Sequence, residues 1–426
     1  MSKLYAGARI HTLREAQGLT QVDMAKKLGV SASYLNQLEN DQRPLTVTVL
    51  LQLSRVFGLD ASYFSPDSQQ RTVGELAELL PGVDEHEIAD FAVRFPRIAD
   101  AVRDIPALID PAARNPHATV RDFFQDNNNY FDDLDTAAEA FALQAPSRQL
   151  RLTRLAAAFD RDLGYTVRFN HYDAGPRSAR SAEARELRLR TGLTEAQQCF
   201  ELAYHYGLIG HSLLIDAHLN PITDPAAANL GRHGLAQYFA AAVTMPYGEI
   251  LAAAEETRYD IDMIAARFGT GFESTCQRLG TLQRPNARAV PFAFVRTDRA
   301  GNISKRQSTT AFHFSQRGGT CPLWVVHRAF ETPNRVTRQV AVMPDGRTYL
   351  WVARMVQGPA AEFGSPRQEN AVALGCDTAH ADRLVYADGL DLSPASATPI
   401  GPGCETCPRE QCPQRSFPAN PGQSAR

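Results

Sequence analysis

The stretch from residue 18 to residue 40 constrains the fold more than any other part of the chain. Gly29 can adopt the left-handed conformation that ends a helix, and Ser31 can cap the helix that follows. Thr20 can cap the preceding helix, with Asp23 three positions on as in a capping box. Apolar residues recur at helical spacing on both sides of the glycine: Val22, Met24, Ala25 and Leu28 before it, and Leu35 and Leu38 after it. The sequence therefore predicts two short helices that meet at a sharp angle.

The outward positions of the second helix carry short or amide side chains, which suit hydrogen bonds to base edges. Gln21, at the start of the first helix, can donate to a phosphate, and Arg9 and Arg14 in the helix before it are expected to face phosphates too. Residues 5–65 resemble the lambda and Cro repressor class of helix-turn-helix proteins. The predicted DNA contacts are Gln21, Ser31, Ser33, Tyr34, Asn36, Gln37, Asn40 and Arg43.

The charge of the chain limits how it can bind DNA. The formal net charge is −3, and residues 1–66 carry seven Lys and Arg against five Asp and Glu. Base contacts and a pair of helix-turn-helix units must therefore supplement phosphate attraction. The chain shows no apolar run near the ~20 residues of a membrane span and no signal-peptide pattern. We expect a cytoplasmic homodimer, or a higher even oligomer, that binds a double-stranded operator and no membrane.

The sequence predicts an α+β protein with five successive regions. An all-α helix-turn-helix domain (1–66) precedes a helical connector (67–145) that helps dimerisation, with a flexible linker as the alternative. A helical middle region (146–270) is predicted to include helices over 182–191 and 195–209. A β-rich sensor region (271–370) and a Cys-rich segment (371–426) complete the chain.

The middle region contains a helix that resembles the metal-binding helix of the ImmA/IrrE-type metallopeptidases. That chemistry needs an HExxH pattern, in which two His bind the metal and a Glu acts as base. Here the three positions hold Tyr204, His205 and Leu208. We therefore expect a peptidase-like scaffold without peptidase activity, in which His205 and His211 are packing or surface residues.

The period of the sequence changes between residues 290 and 357. β-branched and aromatic residues alternate in four runs, and Asp298 to Asn302 and Asp345-Gly346 are typical of hairpin turns. The runs predict antiparallel strands over 292–295, 324–326, 336–342 and 349–356. Such a sheet offers a small-molecule pocket.

Seven cysteines, three of them between 404 and 412, favour reduced thiols and a metal centre over a disulfide framework. The predicted ligands are Cys376, Cys404, Cys407 and Cys412, with Cys321 as a possible substitute. Four thiolates can hold zinc or a [4Fe–4S] cluster, and the Cys-Pro pairs favour the cluster although the spacing is not that of ferredoxins. Unliganded cysteines are the alternative.

Taken together, these motifs resemble one known family. The helix-turn-helix, the degenerate peptidase-like helix, the run from Ala289 to Ser308 and the Cys404-Glu405-Thr406-Cys407-Pro408 motif are similar to those of bacterial short-chain fatty acyl-CoA regulators. The resemblance extends from about residue 5 to 418. It implies a transcription regulator, not an enzyme, that controls propionate, acetate or glyoxylate-bypass genes in response to a CoA thioester, with propionyl-CoA favoured.

A CoA thioester needs cations for its phosphates, an aromatic or guanidinium surface for its adenine and an apolar end for its acyl group. Arg296, Lys305 and Arg306 supply cations on one predicted hairpin, and we expect at least two of them to contact phosphate. The candidate aromatic walls are Phe312, Phe314, Trp324, Tyr349 and Trp351. The alternative for each aromatic residue is that it belongs to the core of the sheet.

Two other functions remain open at this point. In an iron–sulfur redox-sensing regulator the cluster, and not CoA, would be the signal. A metallopeptidase linked to a DNA-binding domain would need the HExxH pattern that the sequence lacks.

Overall fold

The computed structural model describes residues 6–57, 70–80, 83–109, 115–144, 148–170, 176–314, 319–358, 364, 367–405 and 407–417. The chain divides into two compact units. Unit 1 comprises residues 1–113, 311–321 and 401–426, and unit 2 comprises residues 114–310 and 322–400. Among the described residues no helix is both long and apolar enough to cross a membrane.

Unit 1 is built from helices in its described parts. They are α1 (Gly7–Ala16), α2 (Gln21–Leu28), α3 (Ala32–Glu39), α4 (Val47–Phe57), α5 (Gln70–Leu79), α6 (Glu85–Arg94) and α7 (Pro96–Ile109). Helices α1 to α4 enclose one apolar core, which includes Met24, Leu28, Leu35 and Leu38. Helices α5 to α7 enclose a second, smaller core around Leu76. The expected domain boundary at residue 66 and the start of the connector lie outside the described residues.

The predicted helix-turn-helix is present with its caps. Thr20 Oγ1 accepts the backbone N–H of Asp23, and Ser31 Oγ accepts that of Tyr34 at 3.1 Å. Gly29 has φ 66°, the left-handed value that ends α2. One predicted core residue is wrong: Val22 is 65% exposed, because its position on α2 lies off the stripe formed by Met24 and Leu28.

Unit 2 begins with a helical layer. Its helices are α8 (Pro116–Asp126), α9 (Asp132–Leu143), α10 (Arg148–Leu163), α11 (Glu195–Gly210), α12 (Ser212–Leu219) and α13 (Pro225–Thr244). A small sheet of β1 (Thr166–Asn170), β2 (Ser178–Ser181) and β3 (Glu186–Arg190) packs on them. The helix predicted over 182–191 is therefore wrong. Leu187 and Leu189 alternate with charged residues, and this period of two buries both leucines from a strand.

The second half of unit 2 contains helices and a larger sheet. The helices are α14 (Tyr247–Glu256), α15 (Ile261–Phe268), α16 (Phe272–Leu279) and α17 (Val325–Arg328). The strands are β4 (Ala293–Thr297), β5 (Ile303–Ser308), β6 (Thr337–Val342), β7 (Thr348–Gln357), β8 (Glu369–Asp377) and β9 (Thr398–Pro399). Their order is β5-β4-β8-β7-β6-β9, antiparallel except that β9 is parallel to β6. The predicted mixed α+β fold is confirmed.

Different residues pack on the two faces of this sheet. Phe294, Leu350 and Leu374 belong to one core together with apolar residues of α14 to α16. On the opposite face lies Trp324, whose ring packs edge to face on that of Trp351 with 4.8 Å between the ring centroids. The strand predicted at 324–326 is wrong, because Gln339 accepts the backbone N–H of Val325 and thereby anchors the start of α17. A short apolar run is compatible with either structure.

Candidate DNA-binding surface and effector region

Helix α3 presents its polar residues on one outward face. Ser33, Asn36 and Asn40 are exposed at helical spacing, and Tyr34 and Gln37 beside them are half-buried. Leu35 and Leu38 fix the opposite face in the core, so the orientation of α3 follows from its two leucines. Ser31, at the start of the helix, is exposed and also serves as its cap. A single exposed helix with amide side chains outward suits recognition in the major groove.

Arg43 completes this surface from the turn after α3. It is exposed, and its guanidinium carbon lies 5.7 Å from the centre of the Tyr34 ring. The backbone N–H groups of Gln42 and Arg43 both donate to the carbonyl of Gln37. The turn is therefore held against the end of α3, which places a cation beside the amide side chains.

The predicted phosphate role of Arg14 is not what the structure shows. Arg14 Nε donates to Glu39 Oε1 at 2.7 Å, and the Arg14 side chain is only 13% exposed. Gln21 Nε2 donates to the other oxygen of Glu39 at 2.7 Å and to Asn36 Oδ1 at 3.2 Å. Arg9 is buried as well. Glu39 thus ties α1, α2 and α3 together, a role that the sequence pattern did not reveal because the partners are 18 and 25 residues away.

The predicted effector residues lie on several different elements. Arg296 and Lys305 are paired across β4 and β5 and face α16, whereas Arg306 pairs with Val295 and faces the other side of the sheet. The three cations therefore lie on the predicted hairpin with two on one face and one on the other, and their contact with phosphate remains a prediction. Phe312 and Phe314 contact each other in unit 1.

The aromatic candidates of unit 2 are core residues. Tyr349 and Trp351 are fully buried on β7, and Trp324 is 3% exposed. Gly375 on β8 makes the packing possible, since a Cβ there would lie 2.5 Å from the Trp351 ring. These side chains shape the sheet, and whether any of them also contacts an effector remains a prediction.

Helix α16 holds both cations on its side of the sheet. Arg296 Nη1 donates to Glu273 Oε1 at 2.9 Å, and Lys305 Nζ donates to Gln277 Oε1 at 2.8 Å. Gln277 Nε2 in turn donates to Glu273 at 2.9 Å. Removal from water lowers the pKa of Lys305 to about 8; Glu273 opposes this shift and Arg296 adds to it.

The peptidase-like helix is α11, and its altered positions have new partners. Tyr204 forms a 2.6 Å hydrogen bond with His233 Nδ1. His205 is buried, and its Nε2 lies 2.9 Å from Ser178 Oγ, which donates to Glu201. Burial, with the nearby charge of Arg180, lowers the pKa of His205 to about 4, so the ring is neutral at pH 7.

A buried ionic network in unit 2 was missed by the sequence analysis. Arg278 donates to both oxygens of Asp135, at 2.8 and 3.0 Å, and both side chains are completely buried. Tyr238 also donates to Asp135, and Arg278 donates to the Met245 carbonyl. The network joins α9, α13 and α16, and therefore connects the helical layer to the helix that holds Lys305.

The four predicted metal ligands occupy different environments. Cys376 lies on β8 in the core of unit 2, whereas Cys404, Cys407 and Cys412 belong to unit 1. Cys404 Sγ accepts the backbone N–H of Ser416 at 3.0 Å. Within the described ranges, no three His, Cys, Asp or Glu side chains are arranged to hold a metal ion. The metal site remains a prediction from spacing.

Family comparisons cover most of the chain. The family described as short-chain fatty acyl coenzyme A regulator, C-terminal, matches residues 281–424. A helix-turn-helix family matches residues 10–64, and the IrrE N-terminal-like domain matches residues 160–280. The last match is a distant relation to peptidases.

Relatives match over nearly the full length. The HTH-type transcriptional regulator PrpR of Mycobacterium tuberculosis is 44% identical over 100% of this chain and 94% of its own. RamB from the same species is 42% identical (98% and 95%), and the propionyl-CoA carboxylase regulator of Cereibacter sphaeroides is 40% identical (98% and 95%). A solved structure titled Mycobacterium tuberculosis transcriptional regulator superposes with a TM-score of 0.68 at 47% identity, covering 71% of this chain and 94% of that one. The chain therefore belongs to the short-chain fatty acyl-CoA regulators and is a helix-turn-helix transcription regulator.

Proposed function

We propose that this regulator binds a short-chain acyl-CoA, with propionyl-CoA favoured, and that the ligand changes its affinity for operators of propionate, acetate or glyoxylate-type genes. The observation that carries the proposal is the full-length similarity to regulators of which one is named for propionyl-CoA carboxylase, combined with an intact α3 surface. We further propose that it acts in the cytoplasm, without enzymatic activity, as a homodimer or a higher even oligomer. A ligand changes DNA affinity only if it binds two conformations unequally.

The DNA-reading role of α3 can be tested on operator fragments. Asn36→Ala removes an exposed amide from the proposed recognition face, and loss of one bidentate base contact costs about 1–3 kcal/mol. We expect weaker operator binding with little change for random DNA, measured by fluorescence anisotropy. Gln17→Ala is the matched control, because it removes another exposed amide, which lies just after α1. Equal loss in both variants, or none in either, would contradict the assignment.

The cations can be tested one face at a time. Arg306→Ala removes the guanidinium on one side of the sheet, and Arg296→Ala removes the one that is paired with Glu273. If the phosphates contact these groups, each variant should weaken binding of acyl-CoA and of free CoA to the same extent, since both share the phosphates. Unchanged affinity of the triple Ala variant at Arg296, Lys305 and Arg306 would reject the phosphate role.

We also propose that the Cys404–Cys412 loop takes part in a [4Fe–4S] cluster, with zinc as the alternative. The backbone N–H that donates to Cys404 Sγ is typical of thiolate surroundings. Gly401 approaches Cys407 so closely that a Cβ would lie 2.5 Å from its sulfur. Iron, sulfide and zinc analysis of protein purified without air tests the proposal. Protein that contains neither metal rejects it, whereas air-dependent DNA binding without any acyl-CoA would favour a redox-sensing regulator.

A further inference from the structure

Lys305 stands out by its residue type. The chain contains 44 Lys and Arg, and only Lys3, Lys26, Lys27 and Lys305 are lysines. After residue 27, Lys305 is the one lysine, and the other positions of these two residue types are arginines. Arginine provides a permanent charge and more hydrogen bonds, but it cannot act as an amine nucleophile. Among the 38 arginines of residues 28–426, Lys305 therefore supplies the one lysine amine.

The position of Lys305 suits amine chemistry. It lies on β5, the outer strand of the larger sheet, and its side chain is half-buried. Nζ is held by the neutral amide oxygen of Gln277, whereas the nearby carboxylate of Glu273 is occupied by Arg296 and by the Gln277 amide. The amine is thus desolvated and lacks a direct ion pair in this group of side chains.

The lowered pKa means that a larger fraction of the Lys305 amine is neutral and able to react. With a pKa of about 8, about one in ten Lys305 side chains is neutral at pH 7, against about one in three thousand for an ordinary lysine. A neutral, desolvated lysine amine is the form that attacks carbonyl carbons. The charged groups that face it are Glu273 on α16, which raises its pKa, and Arg296 on β4, which lowers it.

We propose that Lys305 is a modification site, which accepts the acyl group of the acyl-CoA effector. This inference rests on the proposed function and assigns Lys305 to the thioester end of the ligand, not to a phosphate. The neutral amine attacks the thioester carbonyl, an amide C–N bond forms and the C–S bond breaks. The amine proton and the CoA thiolate leave as CoA thiol, so that no other reactant is needed.

Acylation would change the charge and size of the Lys305 side chain beside Gln277 and Arg296. The amide keeps one N–H, which can still donate to Gln277, but the positive charge beside Arg296 is lost. The next residue of α16 is Arg278, which holds the buried Asp135. The modification therefore gives α16 a neutral and bulkier neighbour, which persists after free acyl-CoA is gone.

The test uses the full chain, incubated with propionyl-CoA and digested for mass spectrometry. Lys26 and Lys27, exposed on α2, are internal controls. We expect Lys305 to be propionylated at least about tenfold faster than either control at pH 7, and Lys305→Arg to abolish the signal in that peptide. Gln277→Glu should slow the reaction, because a carboxylate next to Nζ raises the pKa of the amine. Equal rates at all three lysines, or faster reaction in Gln277→Glu, would overturn the proposal.

A thioether analogue, S-propyl-CoA, separates this inference from the proposed function. It retains the CoA phosphates and the alkyl group but has no carbonyl for the amine to attack. If the analogue binds in calorimetry while propionyl-CoA leaves Lys305 unmodified, the modification site is wrong and the effector proposal stands. If neither compound binds and Lys305 reacts no faster than Lys26, both proposals fail.

Discussion

Replacement of Arg278 by Met should destabilise unit 2 more than any comparable surface change. Arg278 and Asp135 are both completely buried and joined by two hydrogen bonds of 2.8 and 3.0 Å. In the variant, Asp135 keeps the Tyr238 hydroxyl and a longer contact of 3.8 Å to Arg284. These cannot compensate a carboxylate that has no access to water.

The expected cost is about 3–5 kcal/mol, the usual range when one partner of a buried ion pair is removed. Arg267→Met is the matched control. Arg267 forms a 2.7 Å ion pair with Glu256 in which both side chains are more than half exposed. Such surface pairs contribute about 0–1 kcal/mol. The double variant Arg278→Met, Asp135→Leu should recover most of the loss, because apolar packing replaces both charges.

The assay is thermal and urea unfolding of the full chain, with hydrogen exchange to localise the change. For Arg278→Met we expect the midpoint temperature of the unit 2 transition to fall by about 10 °C. Amide hydrogen exchange should become faster in α9, α13 and α16. Arg267→Met should shift this midpoint by less than about 4 °C, because its cost is at most about 1 kcal/mol. If Arg278→Met costs under about 1 kcal/mol, or if the double variant is less stable than the single one, the reasoning about the buried pair is refuted.

Three further predictions concern local features. Ser31→Ala should cost about 1 kcal/mol in unit 1 by removing the α3 cap, measured by urea unfolding; an unchanged midpoint would argue against the cap. Gly375→Ala should cost about 1–3 kcal/mol, because its Cβ would clash with Trp351. Gly192→Ala is the control, because a Cβ there meets nothing within 4 Å. An equal loss of stability in both variants would contradict the packing argument. His205 has a folded pKa of about 4, below its unfolded value of about 6.5. Its own contribution to stability should therefore be constant above about pH 6.5 and should fall by about 3 kcal/mol as the pH drops to 4. His205→Gln should flatten that part of the pH profile, and an identical slope in both proteins would exclude this histidine as its source.

Local signals made the helix-turn-helix predictable from the sequence. The caps of Thr20 and Ser31 and the left-handed Gly29 act within three or four residues, and the structure contains all three. The hairpin turns at 298–302 and 345–346 are equally local. The second joins two predicted strands, β6 and β7, whereas the first joins β4 to β5, a strand that the sequence pattern did not predict.

Long-range partners were not predictable by the same means. The residues next to Arg14 in the sequence do not indicate that it will pair with Glu39. The alternation of Leu187 and Leu189 is too short to exclude a helix. The cations of the β4–β5 hairpin show how register decides a site. Arg306 follows Lys305 directly, and for that reason the two face opposite sides of the sheet.

The acyl-CoA proposed as the effector of this helix-turn-helix regulator can be sought directly. Calorimetric titration of the full, metal-replete chain with free CoA, acetyl-CoA, propionyl-CoA and butyryl-CoA tests this proposal most directly. We expect selective binding of one thioester, propionyl-CoA, at least about tenfold tighter than free CoA, a difference of about 1.4 kcal/mol. Equal affinity for all four compounds, or no binding of any of them to folded protein, would contradict it.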